Sequence, residues 1–285
     1  MPNTLGVVCM HYDPEKLPAT LEALDRITRA APALHTVFVA NHEAAEAALN
    51  KMGTALGESF QVFRHDNSGM EFGAFQAGLD RLLGSFDPEW VLFANDTFAT
   101  HHSFGKVYRD KLAADLHRSF DCPAIVGQVV SLPRSYQIEG SRTHRWMTTN
   151  LFALNRAALV ALDRRVYRPE LEFLVTETSE LEKFFAARVD RVLREHLEAW
   201  LFRARPGWHW YASDPLQPGN AAYMARKARS ILQEKYLSAL LESLSAEFVD
   251  LNDLSVRRKV VRAVERKMFA FARRVGQSAS KDKKL

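Results

Sequence analysis

The sequence predicts an α/β fold built on a mostly parallel sheet, and three observations carry that expectation. Short apolar runs alternate with helix-patterned segments through the first hundred residues. Strands joined by crossover helices give a parallel sheet covered on both faces. Each apolar run stops at polar or turn-forming residues, as strands do where such a sheet reaches its ligand-binding edge. The composition, 47% hydrophobic and 25% charged over 285 residues, is that of a globular chain with a sizeable core.

The elements follow in order. Leu5–His11 is an apolar run stopped by Tyr12-Asp13-Pro14, a turn and helix-start signal. Leu17, Leu21, Leu24 and Ile27 then recur at helical spacing. Leu34–Asn41 is the second strand, followed by an Ala-rich helix from Glu43. Phe60–Arg64 is the third, broken by Asp66-Asn67-Ser68-Gly69, after which Phe72, Phe75, Leu79 and Leu82 share one helix face. Trp90–Asn95 is the fourth, ended by Asp96-Thr97. In the second half, Ala124–Val130 and Met147–Leu154 read as strands around a polar connection, Ser131–Thr143. Asn155–Leu162 reads as a short helix and Thr178–Phe202 as a long one, acidic first and basic later, as the helix dipole favours. A loop over Arg205–Pro218 precedes two more helices, Asn220–Ala246 and Ser255–Val275. The expected organisation is a sheet-based domain over 1–215 and a C-terminal helical region over 216–285.

Charge and cysteine usage exclude several classes. The formal net charge is +4, but residues 255–285 hold eleven Lys/Arg against Glu265 and Asp282, a balance of +9, which leaves the rest at 4 − 9 = −5. A whole-surface nucleic-acid binder spreads its basic residues over the fold, so no nucleic-acid partner is expected. Cys9 and Cys122 fit no zinc or disulfide framework. No apolar run approaches the roughly 18 residues of a membrane span, and the N-terminus lacks signal-peptide features. A cytoplasmic protein with reduced thiols is expected. The chain contains no GxxxxGK[ST] or GxGxxG loop and no nucleophile elbow.

Polar residues at the strand ends are the candidates for chemistry: His11-Tyr12, Asn41, Asp66–Gly69 and Asn95-Asp96-Thr97. A carboxylate at Asp96 can hold a divalent cation that bridges two phosphates, because hard cations take oxygen ligands. It can equally cap the next turn. The Gly-containing turn before Glu71 and Gly73 can present backbone N–H groups to a phosphate, or serve as an ordinary helix start with an Asn or Ser cap.

As an ordered set these segments resemble the glycosyltransferase-A fold, and within it the family 2-like and rhamnan-synthesis-type sugar transferases of bacterial surface polysaccharides. The resemblance rests on Asn67-Ser68-Gly69, then Glu71 to Asp80 with Gly73 and Gly78, then Val91-Leu92-Phe93-Ala94-Asn95-Asp96-Thr97, and on Met147 to Arg156. It implies a nucleotide-sugar donor bound around His11, Tyr12, Asn41, Asn67, Gly69, Glu71, Gly73, Asn95 and Asp96. It implies Mg2+ or Mn2+ as a possible cofactor at Asp96, with His209 as a further ligand. Two departures bear on this: a single Asp stands where a full D-x-D has two acids, and Asn41 replaces the acid that ends the family's second strand. The family's acidic helix start corresponds to Glu177–Glu182, with Glu180 the first choice as catalytic base and Glu177 the second. Thr149 and Asn150 fall on the acceptor side, where Trp146 could stack on a sugar ring. His209, between Trp208 and Trp210, has packing among aromatics as its other explanation.

In Ser255–Val275, Val256, Val260, Val264, Met268, Phe271 and Val275 form an apolar stripe with Arg257, Arg258, Arg262, Arg266, Lys267, Arg273 and Arg274 around it. Such a helix suits an anionic membrane surface, here the inner face of the cytoplasmic membrane, or packs on the domain with its basic face solvated. The leading functional expectation is sugar transfer from a nucleotide-sugar to a glycan or lipid-linked acceptor in surface polysaccharide synthesis. The alternatives are a non-catalytic interaction or membrane-docking protein on a degenerate scaffold of this kind, and a nucleotidyltransferase.

Overall fold

The computed structural model describes residues 4–29, 34–53, 60–100, 104–202, 210 and 212–282, with side chains as far as 271. In chain order the elements are β1 (Leu5–His11), α1 (Leu17–Thr28), β2 (Leu34–Ala40), α2 (Glu43–Gly53), β3 (Phe60–Arg64), α3 (Met70–Leu83), β4 (Trp90–Asn95) and α4 (Lys106–Leu116). They continue with β5 (Ala124–Ile138), β6 (Ser141–Asn155), α5 (Arg156–Ala161), α6 (Leu181–Phe184), α7 (Arg191–Leu201), α8 (Ala221–Ser243), β7 (Glu247–Asp250) and α9 (Val256–Asp282). Short 3-10 helices cover Pro14–Lys16 and Pro169–Leu174.

The seven strands form one sheet in the order β3-β2-β1-β4-β6-β5-β7. Only β6 runs against the rest, since β4 and β5 both pair with it antiparallel while β1–β2, β2–β3, β1–β4 and β5–β7 are parallel. The α/β class and the mostly parallel sheet are therefore as the alternation predicts. Every residue of β1 and β4 is buried, because helices cover both faces. Val7 and Cys9 face a core with Leu17, Leu24, Leu49 and Leu112. Val8 and Met10 face the other way, into a core with Phe72, Phe75, Leu79 and Leu237. Register places His11 beside Ala40 and Met10 beside Asn95, so β1, β2 and β4 end at one level. Ala94 pairs with Leu151, which brings Thr149 and Asn150 of β6 to the same edge.

Three expected segments differ. The polar stretch 131–143 is strand: β5 and β6 form a long hairpin whose tip, Glu139-Gly140, takes positive φ at both residues, 44° and 83°, the geometry of a two-residue hairpin turn. Its outer residues are exposed, so they carry polar side chains, and Pro133 falls within a register shift between Ser131 and Tyr136, where a missing N–H is tolerated. The helix expected over Thr178–Phe202 is broken. It forms only as α6 and α7, because Phe185 turns extended to bridge Val175 and Asp190 caps a new start, accepting from Val192 and Leu193 N–H at 2.8 and 3.2 Å. Between the two C-terminal helices, Glu247–Asp250 adds β7 to the sheet beside β5. A third core gathers Tyr136, Leu193, Leu197, Met224 and Ile231 between the hairpin, α7 and α8.

That third region buries ionisable groups. Lys235 of α8 is 2% exposed, with its ammonium 2.8 Å from the centre of the Trp146 ring and 3.6 Å from Glu234. Burial lowers its pKa to about 7, against the pull of Glu234, since a low-dielectric site disfavours the charged form. His196, edge-on to Trp146, is lowered to about 4 by burial and then by Lys235. In both cases the unfolded chain binds the proton more tightly, so stability rises with pH: between about 4 and 6.5 through His196, and between about 7 and 10.5 through Lys235. The His196 difference corresponds to roughly 3 kcal/mol across its window. Melting temperatures measured from pH 4 to 10 should climb through both windows. Lys235→Met should flatten the upper one, and a flat wild-type profile there would mean that Lys235 is solvated.

Candidate functional site

Asp96 follows the buried end of β4 and is itself 2% exposed. Its Oδ2 accepts the N–H groups of Tyr12 at 2.9 Å and Asp13 at 2.6 Å. Lys16 Nζ stands 3.9 Å from Oδ1, and His11 Nδ1 4.0 Å from Oδ2. The carboxylate thus fixes the turn that leaves β1. His11 is fully buried and its pKa is lowered by burial, against the opposing charge of Asp96, so its ring is held neutral. Tyr12 is 52% exposed and meets His42 edge-on.

The turn before α3 lies beside it. Asn41, at the end of β2, donates from Nδ2 to Asn67 Oδ1 at 2.8 Å. Asn67, Gly69 and Met70 all have positive φ, 65°, 66° and 52°, which folds the chain tightly from strand into helix. Gly69 has no room for a side chain, because a Cβ there would stand 2.7 Å from the Tyr167 ring. Gly73 is tighter still: its Cβ would lie 1.9 Å from the Ser68 carbonyl oxygen. That contact is with backbone, so relief requires the turn itself to open. Gly73→Ala is expected to destabilise by about 3 kcal/mol or more and to weaken any ligand held by the turn. Chemical denaturation would check this, and an unchanged midpoint would show that the turn is plastic.

Glu71, in the first turn of α3, joins four elements. Its Oε2 accepts from Asn95 Nδ2 at 3.2 Å, and its Oε1 from Ser230 at 2.9 Å and Thr149 at 3.3 Å. Glu234 accepts the Thr149 N–H at 3.0 Å and hydroxyl at 2.9 Å. The structure therefore brings Glu71, Asn95 and Thr149 together, and adds Ser230 and Glu234 of α8. Nothing local in the sequence marks these two as partners of Glu71. The available signal is that Ser230, Glu234 and Ser238 recur every four residues on a helix whose other buried positions are largely apolar.

Other expected site residues lie differently. Trp146 is 7% exposed, and with Lys235 over its ring and His196 at its edge it is packed within the hairpin core, which leaves no free face for stacking on a sugar. Asn150 is half-buried on β6. Glu180 is exposed and pairs with Lys183 at 2.6 Å. Glu177 pairs with Arg229 at 3.0 Å, and Arg229 also meets Glu172 at 3.5 Å. Glu172 accepts from the hydroxyl of Tyr167, the ring over Gly69, so a chain of contacts ties Glu177 to the turn. Burial and Glu172 push the Tyr167 phenol up to about 12, which keeps it protonated. His209 lies outside the described residues.

The residues around Asp96 do not fit a divalent cation. Oδ2 is taken by two N–H groups, and Oδ1 faces the ammonium of Lys16, which repels a second cation. Asn95 Oδ1 is taken by the N–H and hydroxyl of Thr97. Among the described residues no group of three or more His, Cys, Asp or Glu is placed to hold a metal.

No family model matches the chain, and no curated protein matches its sequence. Solved structures with a similar course of chain include Staphylococcus aureus TarS 1-349 in complex with UDP, at 14% identity and TM-score 0.34, covering 59% of this chain and 50% of that one. Another is the mannosyltransferase PcManGT from Pyrobaculum calidifontis in complex with GDP-Man and Mn2+, at 14% identity and TM-score 0.38, covering 94% and 81%. A third is a 4-diphosphocytidyl-2C-methyl-D-erythritol synthase, at 13% and 0.31, covering 80% and 98%. The chain spans half the length of the TarS structure. Likenesses this distant carry no argument about what the chain binds or transfers.

Proposed function

We propose that the chain transfers a sugar from a nucleotide-sugar donor to a glycan or lipid-linked acceptor, and that surface polysaccharide synthesis on the cytoplasmic side is its setting. One observation carries this reading. The ends of β1, β2 and β4 and the start of α3 gather Asp96 with Lys16, Asn41 with Asn67, and Glu71 with Asn95 and Thr149 at one edge of a mostly parallel sheet, the edge where such folds take ligands. The ordered motifs that resemble sugar transferases fall on the same edge.

In this reading the turn over Asn67–Gly73 takes the nucleotide diphosphate. Lys16 and backbone N–H groups offset the negative charge that develops on the leaving diphosphate, work that preorganised donors do well in a water-poor site. No step is assigned to a metal, since among the described residues Asp96 Oδ2 and Asn95 Oδ1 already accept hydrogen bonds and Asp96 Oδ1 faces Lys16. Thr149 and Asn150 line the acceptor side, and a carboxylate of the 177–180 segment removes the proton of the attacking hydroxyl. Glu177, tied through Arg229 to the turn, is better supported than Glu180, which stands in solvent beside Lys183.

Product analysis with a panel of nucleotide-sugars and a glycan acceptor tests the proposal. It requires release of a nucleoside diphosphate with a new glycosidic bond. In a parallel arm supplied with nucleoside triphosphates and sugar phosphates, release of pyrophosphate with formation of a nucleotide-sugar would instead identify a nucleotidyltransferase, and nucleotide-sugar binding with no turnover of any acceptor would favour a non-catalytic scaffold. Where transfer is seen, Glu177→Gln and Glu180→Gln locate the base, because glutamine keeps size but accepts no proton at neutral pH; the variant that loses kcat while retaining donor affinity names it.

A further inference from the structure

Helix α9 packs on the protein by its polar side and shows its apolar side to solvent. Arg262 is buried, with its guanidinium 3.8 Å over the Tyr108 ring of α4, and it meets Glu265 at 3.9 Å. Glu265 accepts the N–H of Val107 at 3.3 Å. Arg262, Glu265 and Phe269 are spaced three and four apart and are the residues of 256–271 that are not exposed, so they form one inward line. Val256, Val260, Val264, Met268 and Phe271 also share a line, by the same spacing, and are 52–79% exposed. An amphipathic helix ordinarily buries its apolar stripe, and this one is reversed.

We infer that this outward stripe is a docking surface for an anionic lipid bilayer, with α9 lying flat in the interface. Charge selects that partner. Arg257, Arg258, Lys259, Arg266 and Lys267 are exposed around the stripe, while Glu265, the one acid of 256–271, is turned to α4. A second copy would set five positive charges against five, a repulsive pairing. Apolar insertion with basic residues at headgroup level uses both features at once. Among the described residues no helix is long and apolar enough to cross a membrane, so attachment is to the surface. The inference does not depend on the sugar-transfer reading, because lipid binding is measured without turnover.

Co-sedimentation of the full chain with phosphatidylcholine vesicles, with and without phosphatidylglycerol, at low and high salt, is the test. Binding to the anionic vesicles at low salt is expected, falling as the ionic strength shortens the Debye length. Val260→Asp with Val264→Asp should abolish it, and Lys259→Gln with Arg266→Gln should weaken it about 30-fold. All four positions are exposed, so the melting temperature should hold in both variants, which shows that the fold survives. Failure to sediment with anionic vesicles at low salt would overturn the inference, as would equal binding to phosphatidylcholine alone. So would a dimer that the aspartate variant dissociates while lipid binding persists, since a second copy would then occupy the stripe.

Discussion

Asp96→Ala is expected to lower stability by about 3 kcal/mol and to reduce sugar transfer by two orders of magnitude or more. The sequence alone suggests a variant that loses activity and keeps its fold intact; the structure changes that expectation. The carboxylate is buried and accepts two backbone N–H groups from the turn after β1, so its removal takes the acceptor from both and leaves Lys16 with Asp13 alone as its counter-charge. For a chain of this size the cost corresponds to a fall in melting temperature of about 5 °C. Asp96→Asn keeps one acceptor oxygen for those N–H groups and should recover part of the stability while activity stays low. Wild-type melting and transfer in the alanine variant would remove Asp96 from both roles.

Glu71→Ala should have a comparable effect by a different route. It strips the acceptor from Asn95 and Ser230 and the longer of two from the Thr149 hydroxyl, which keeps Glu234 at 2.9 Å, so β4, β6 and α8 lose their common partner. Each buried polar group left unmade costs about 1–3 kcal/mol, though not additively. We expect a loss of about 4 kcal/mol in urea unfolding and donor binding too weak to measure. Ser230→Ala removes one donor and leaves Glu71 its other two, so its cost should be well below half as large. A Glu71→Ala variant as stable as wild type would mean that solvent, and not the carboxylate, satisfies these groups.

These two residues also show how far the sequence could be read. Asp96 was legible because it follows an apolar run that stops at Asn95, and β1 and β4 are apolar up to their last residue because helices bury both their faces. Glu71 was legible as part of a turn after β3, but its role was not. Its partners Thr149 and Ser230 lie 78 and 159 positions away, and only the antiparallel insertion of β6 beside β4, with α8 across it, brings them close. Lys235 was invisible for the same reason: a lysine in a long helix reads as solvated until Trp146 is seen beneath it. The misread segments share a cause. The β5–β6 hairpin carries polar residues on its outer face, the 178–202 stretch has helical periodicity interrupted by the capping Asp190, and β7 is four residues between two strong helices.

The central claim is that the edge formed by Asp96, Asn67–Gly73 and Glu71 takes a nucleotide-sugar. Thermal unfolding of the intact chain with a library of nucleoside diphosphates and their sugar conjugates tests it most directly, because a ligand bound only by the folded state adds about 2.7 kcal/mol at one hundred times its Kd. The account predicts that at least one nucleoside-diphosphate sugar raises the melting temperature by several degrees without added metal, and that Gly73→Ala and Glu71→Ala lose the shift. A library in which no nucleotide or nucleotide-sugar moves the transition, or a shift that survives both substitutions, would contradict it.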